Sequence, residues 1–199
     1  SILKIQGELD VSDVEYGWIN TAFLISYALM FSLGGWLIDR FGTRMGLAVS
    51  VGLWSLSSAL HGAVHSVWHL ATARFFLGIG EGGCFPGAAK GVTEWFPRKH
   101  RALAMGIAIG GAALGAVIAP PLTVYLTSIF GWRGTFISTG IMGGIWVLVW
   151  LIFFHKARNS PVITKKELIS IEKDAGRREQ QSPKTVKRNV PLKKILRTR

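Results

Sequence analysis

The stretch IMGGIWVLVWLIFF, Ile141–Phe154, carries no charged side chain, and its only strong hydrogen-bonding side chains are the indoles of Trp146 and Trp150. A helix at the surface of a soluble bundle keeps one polar face toward water. Here no face is polar, so the natural solvent for this helix is lipid. Extended back to Gly134, the run reaches the roughly 20 residues that a bilayer crossing requires. Four earlier runs have the same character: Tyr16–Ile38, Met45–Val64, Trp68–Ala89 and Ala102–Thr127. The expected fold is an all-α, polytopic membrane helix bundle, with residues 1–15 and 155–199 outside the bilayer.

Composition points the same way. Of 199 residues, 49% are hydrophobic and 17% charged, against about 25% charged in an ordinary soluble domain. Of the 23 basic residues, 14 lie in 156–199, which holds nearly all of the +12 net charge. Such a composition is compatible with nucleic-acid binding, but a cytoplasmic loop gathers Lys and Arg for a different reason, and no nucleic-acid partner is expected. Cys84 is the only cysteine, so no internal disulfide forms. His61, His65 and His69 recur every four residues, but the turn around Ser66–Trp68 breaks their common face, and no metal site is expected. No nucleophile–base–acid set or carboxylate pair stands out, so the chain is not expected to be an enzyme or to hold a cofactor.

Orientation follows from the cations. Arg40 and Arg44 follow the first run, Lys90, Arg98, Lys99 and Arg101 the third, and the basic tail the fifth. The opposite side holds Lys4 and Arg133, with Glu8, Asp10, Asp13 and Glu15 beside Lys4. Basic loops stay cytoplasmic. Residues 1–15 are then an extracytoplasmic loop and 155–199 a basic cytoplasmic loop. Within it, TKKELISIEKDAG (164–176) reads as a short amphipathic helix, and the basic stretch suits anionic lipid headgroups. An odd number of crossings that starts outside implies a preceding helix, so the chain reads as an internal piece of a longer, multi-pass protein of the cell (inner) membrane.

GGWLIDRFGTRMG, Gly34–Gly46, resembles the loop between the second and third helices of the major facilitator superfamily, G-x-x-x-D-R-x-G-R-R. Gly35, Asp39, Arg40, Gly42 and Arg44 match, and Thr43 replaces the first of the two final basic residues. RFFLGIGEGGCFPGAAKGVTEWFP, RALAMGI, GAVIAPPL, GWRGTFI and WLIFFHKARNSP are similar to the anion–cation symporter branch, which includes bacterial hexuronate and related sugar-acid transporters. The resemblance spans essentially the whole chain. It implies helices two to six plus the central loop, a partial N-terminal half whose partners are a first helix and a C-terminal half. It further implies transport of a small organic anion, a hexuronate or related sugar acid, by proton-coupled symport through alternating access, with the proton as coupling ion. A facilitator or antiporter of another small anion on the same fold, and a non-transporting membrane receptor or scaffold, are the competing readings. The resemblance makes Asp39 part of a latch on the outward-open state. Physics adds an independent reason for a partner, because a helix C-terminus disfavours a carboxylate, and Asp39 ends its helix.

ARFFLGIGEGGCFPG, Ala73–Gly87, places Arg74 and Glu81 inside an apolar run. Gly78, Gly80 and Gly83 spell G-x-G-x-x-G, but that dinucleotide motif needs a strand before it and a helix after it. Inside one apolar helix the glycines read instead as close-packing surface, as do the pairs Gly106/Gly110, Gly111/Gly115 and Gly140/Gly144. From a helix start near Trp68, Arg74 lies about 9 Å and Glu81 about 20 Å into the membrane. They straddle the midplane and, two turns apart, point the same way. Each such ion costs about 2.5–3.5 kcal/mol at the bilayer centre. Replacing a buried ion pair by apolar groups is often neutral or better, so the pair is expected to serve substrate or proton. Low dielectric favours a neutral carboxyl and a nearby guanidinium favours an ionised one. Glu81 is therefore expected to exchange a proton as Arg74 or an anionic substrate comes and goes.

Tyr27, midway along its run, matches a cavity-lining tyrosine of the family; a packing or lipid-facing role is the other reading. Pro120 and Pro121 are expected to kink the fifth helix of the family numbering. Many relatives carry an amide or hydroxyl midway along that helix, whereas Ile109–Ala113 offers none.

Overall fold

Ser12 starts the first long helix with a reciprocal cap. Its hydroxyl accepts the Glu15 N–H at 3.3 Å, and Glu15 Oε2 accepts the Ser12 N–H at 2.9 Å, which satisfies two donors that a helix start leaves open. Asp13 and Glu15 also complement the positive end of the dipole. The computed structural model describes residues 2–154 together with Ile169 and Lys173. Its helices are α1 (Ile2–Leu9), α2 (Asp13–Phe41), α3 (Thr43–His61), α4 (Val67–Gly82), α5 (Cys84–Trp95) and α6 (Arg98–Phe153). The expected 164–176 helix and the rest of the basic tail lie outside the described residues, apart from Ile169 and Lys173.

Two glycines set the chain reversals. Gly42 (φ 82°) alone joins α2 to α3, and Gly131 (φ 68°) breaks α6 into arms 98–130 and 132–153. Both lie in the left-handed region that glycine enters without steric cost. Pro120 and Pro121 lie inside α6 with helical φ and ψ, so the expected kink is not there; the one residue of α6 with non-helical φ and ψ is Gly131, between the runs expected to end at Thr127 and to begin at Gly134. α2 and α6 are long and apolar enough to cross a membrane. The stretch 1–15, expected as a loop, holds α1 and the first turn of α2, and Lys90 lies on α5 rather than in a connection.

The helices stack in the spatial order α2, α4, α3 and the 132–153 arm of α6. Glycine makes each contact possible. A Cβ on Gly78 would stand 2.5 Å from the Phe23 carbonyl oxygen, and one on Gly82 would stand 2.5 Å from that of Tyr27, so this edge of α4 lies against α2. One on Gly80 would stand 2.5 Å from Trp54 N and 2.8 Å from Ser50 O, so the opposite edge lies against α3. Gly140 approaches Ser55 O and Gly143 approaches Ser55 Oγ, which joins α3 to α6; Gly144, the expected partner of Gly140, has no such neighbour. Nor do Gly106, Gly110, Gly111 and Gly115, and every residue from Gly106 to Tyr125 is exposed. Val11, Ile19, Val64, Leu70, Ala73 and Trp132 form a buried apolar cluster where α1 meets the bundle.

Gly80→Val is expected to lower unfolding stability in detergent by about 1–3 kcal/mol, because overpacking displaces backbone. Gly52→Ala, where a Cβ meets nothing within 4 Å, is expected to be neutral or to gain up to about 1 kcal/mol from helix propensity.

Candidate functional site

With one edge of α4 on α2 and the other on α3, a third face is left, and it carries Arg74 and Glu81. Seven residues apart, they lie about 10 Å apart along the axis. Glu81 is exposed and Arg74 half-buried, with a buried Nε that has no hydrogen-bond partner among the described residues. The two do not form an ion pair within 4.0 Å. The arrangement is a separated cation and carboxylate on one helix face.

Beside them runs a ladder of rings. Phe23 and Tyr27 have centroids 5.9 Å apart, Tyr27 and Phe31 6.1 Å, and Phe31 and Phe85 5.7 Å. The i, i+4 spacing on α2 lines up its three rings, and Phe85, one turn beyond Glu81, completes the stack from α5. Tyr27 is thus half-buried within an aromatic stack.

The loop motif divides into separate contacts. Asp39 pairs with Lys90 of α5, which also stands 4.0 Å from Glu94. Arg40 lies over the Trp36 ring at 5.9 Å. Arg44 donates to the Leu151 carbonyl, and Trp150 Nε1 returns a bond of 3.0 Å to the Arg44 carbonyl, so Arg44 ties α3 to α6. Gly42 forms the junction, and its N–H donates to Ile38 O at 2.8 Å. Gly35 faces open space, while a Cβ on its neighbour Gly34 would stand 3.3 Å from Gly83 Cα. Asp39 is 71% exposed. Such a pair adds no more than about 1 kcal/mol to stability.

The opposite end has a knot that sequence reading missed. Glu8 of α1 accepts from Trp132 Nε1 at 2.6 Å and from Arg133 Nη2 at 3.0 Å. Arg133 Nη1 donates to the Gly62 and Val64 carbonyls at 3.1 and 2.7 Å, and its guanidinium lies 4.4 Å over the Trp132 ring. The Trp132 bond, then the Arg133 bond and charge, hold the Glu8 carboxyl below its ordinary range. Only the adjacent Trp–Arg pair at a reversal hinted at this.

The three histidines do not converge. His61 is fully buried, its Nδ1 donates to Ser57 O at 2.6 Å, and its ring stacks on Phe136 at 4.9 Å. His65 lies between helices and His69 is exposed on α4.

Residues 1–199 match the family described as Major Facilitator Superfamily. The chain is 35% identical over 194 residues to a probable sulfoacetate transporter of Cupriavidus necator, covering 97% of the chain and 44% of that protein. It is 33% identical over 192 residues to the hexuronate transporter of Escherichia coli K12, covering 96% and 44%. A galacturonate transporter of Dickeya chrysanthemi is 32% identical, covering 82% and 47%. The chain thus spans under half the length of these relatives. Among solved structures, a bacterial homologue of the human lysosomal transporter Spinster, inward-facing and unoccupied, superposes with a TM-score of 0.67 at 26% identity, covering 83% of this chain and 40% of that one.

Because the Glu8 carboxyl is held below its ordinary range, its contribution to stability is present above that range and is lost as pH falls through the lowered value. Unfolding of the wild type and of Glu8→Gln, followed between neutral and acid pH, should show a stability gap at neutral pH that closes on acidification.

Proposed function

Because the chain belongs to the major facilitator superfamily, we propose that the complete protein carries an organic anion, a hexuronate or related sugar acid, by proton-coupled symport through alternating access. The observation that carries this reading is the unpaired Arg74 and Glu81 on one face of a membrane helix. Charges at membrane depth that do not neutralise each other at contact distance mark ion or substrate pathways.

Charge balance supplies the mechanism. In the empty carrier, Arg74 and a carboxylate at Glu81 sum to zero. A monovalent anion drawn to Arg74 adds one negative charge, and one proton on Glu81 cancels it. Both the empty and the loaded site then change access without net charge, avoiding the roughly 2.5–3.5 kcal/mol that one uncompensated ion costs at the bilayer centre. Release of the proton on the other side restores the carboxylate and expels the anion. Tyr27 lines the cavity beside this site. Asp39, Arg40 and Arg44 lie at the cytoplasmic end, where the Asp39–Lys90 pair latches α2 to α5 while the outer side is open. The missing first helix and C-terminal half complete the cavity, and the tail is cytoplasmic.

A second reading concerns the cargo. The relative named as a sulfoacetate transporter and the lack of side-chain hydrogen-bonding groups over Ile109–Ala113 favour a smaller anion with fewer hydroxyls. Uptake by the full-length protein across hexuronates, aldonates, aldarates and short sulfonates separates the two.

In proteoliposomes with an imposed proton gradient, Glu81→Gln should abolish accumulation against the gradient yet retain substrate exchange. Undiminished accumulation would overturn the proposed coupling.

A further inference from the structure

Between Glu81 and Lys90 the chain reads Gly82, Gly83, Cys84, Phe85, Pro86, Gly87, Ala88 and Ala89. Phe85 is the one large side chain in this wall, about 6 Å below Glu81, and Lys90 follows about 8 Å further on. On α2, Phe31 is followed by Ser32, Leu33, Gly34, Gly35, Trp36, Leu37 and Ile38 before Asp39, and Gly34 packs against Gly83 and Pro86. The Phe31 and Phe85 rings meet across the two walls, 5.7 Å apart at an interplanar angle of 22°. They are 42% and 48% exposed, so neither is consumed in the bundle core. The Phe31–Phe85 stack therefore lies, along the helices, between Glu81 and the Asp39–Lys90 pair.

We propose that the Phe31–Phe85 stack is one half of an apolar barrier that keeps water and protons of the Asp39 end away from Glu81. This rests on the transport reading above for its use, but not for its measurement. An apolar constriction blocks water and ions by dewetting, with no need for a charge or a moving lid. Symport requires such a seal, because a carboxylate wetted from both ends passes protons without cargo. The backbone keeps the rings in register: Gly82 lets α4 close on the Tyr27 carbonyl and the Phe31 N–H, and the turn at Gly83 delivers Phe85 to α2.

The test is passive proton flux into proteoliposomes of the full-length protein, with no substrate present. The wild type should be tight. Phe31→Ala/Phe85→Ala should raise the flux several-fold, while Phe31→Leu/Phe85→Leu, which restores apolar bulk, should return it to the wild-type level. Retained elution volume and helical circular dichroism report that each variant is folded, and the single variants Phe31→Ala and Phe85→Ala serve if the double variant is not. Equal flux in the alanine and wild-type proteins overturns the barrier, as does a leucine variant that leaks as much as the alanine one. A tight wild type that moves no anion would count against the transport reading alone.

Discussion

The structure depends on how near the α4 backbone comes to its neighbours. At Gly78 and Gly82 on one edge and Gly80 on the other, a Cβ would meet a backbone atom of α2 or α3 at 2.5 Å. In lipid, helices gain little by hiding apolar surface from water, so close van der Waals contact has to hold them together. Glycine permits that contact, and it also decides what α4 has left to offer. With two edges filled by neighbours, Arg74 and Glu81 occupy the remaining face. The packing and the candidate site are thus two consequences of one spacing.

The two ends of the bundle are tied by different chemistry. At the Glu8 end, Arg133 spends its donors on a carboxylate and two carbonyls that close α3, and Trp132 adds a further bond, so three segments meet in one network. At the Asp39 end the ties are pairwise: Asp39 to Lys90, and Arg44 and Trp150 exchanging bonds between α3 and α6. A network in which each donor is matched is harder to open than one exposed ion pair. The 98–130 arm keeps a long exposed surface with open glycines among the described residues.

Much of this was legible because a membrane imposes strong rules on sequence. The all-round apolar run at Ile141–Phe154, the uneven Lys and Arg distribution and the loop motif led to a helical membrane bundle of the superfamily. Of the site, the two-turn spacing of Arg74 and Glu81 could be read directly. Their separation beyond ion-pair distance could not, because it depends on side-chain direction rather than period. Lys90 was counted only as a loop charge; its meeting with Asp39, 51 residues earlier in the chain, arises because α5 prolongs α4 past the expected end of the span. Glycine pairs were recognised as packing surface, yet Gly140 works with Gly143 rather than Gly144, since the choice between i+3 and i+4 rows is made by the crossing of two helices.

The sequence by itself therefore determined the class of solvent, the helices and the presence of two charges in an apolar helix, because hydrocarbon penalises every unpaired polar group and permits few architectures. Tertiary structure alone decided which glycine meets which backbone, that Glu8 is anchored by Trp132 and Arg133, and that Phe31 and Phe85 stack below Glu81. Those are contacts between segments far apart in the chain. Local preference does not encode them, because they are settled only when helices compete for the same few ångströms of space.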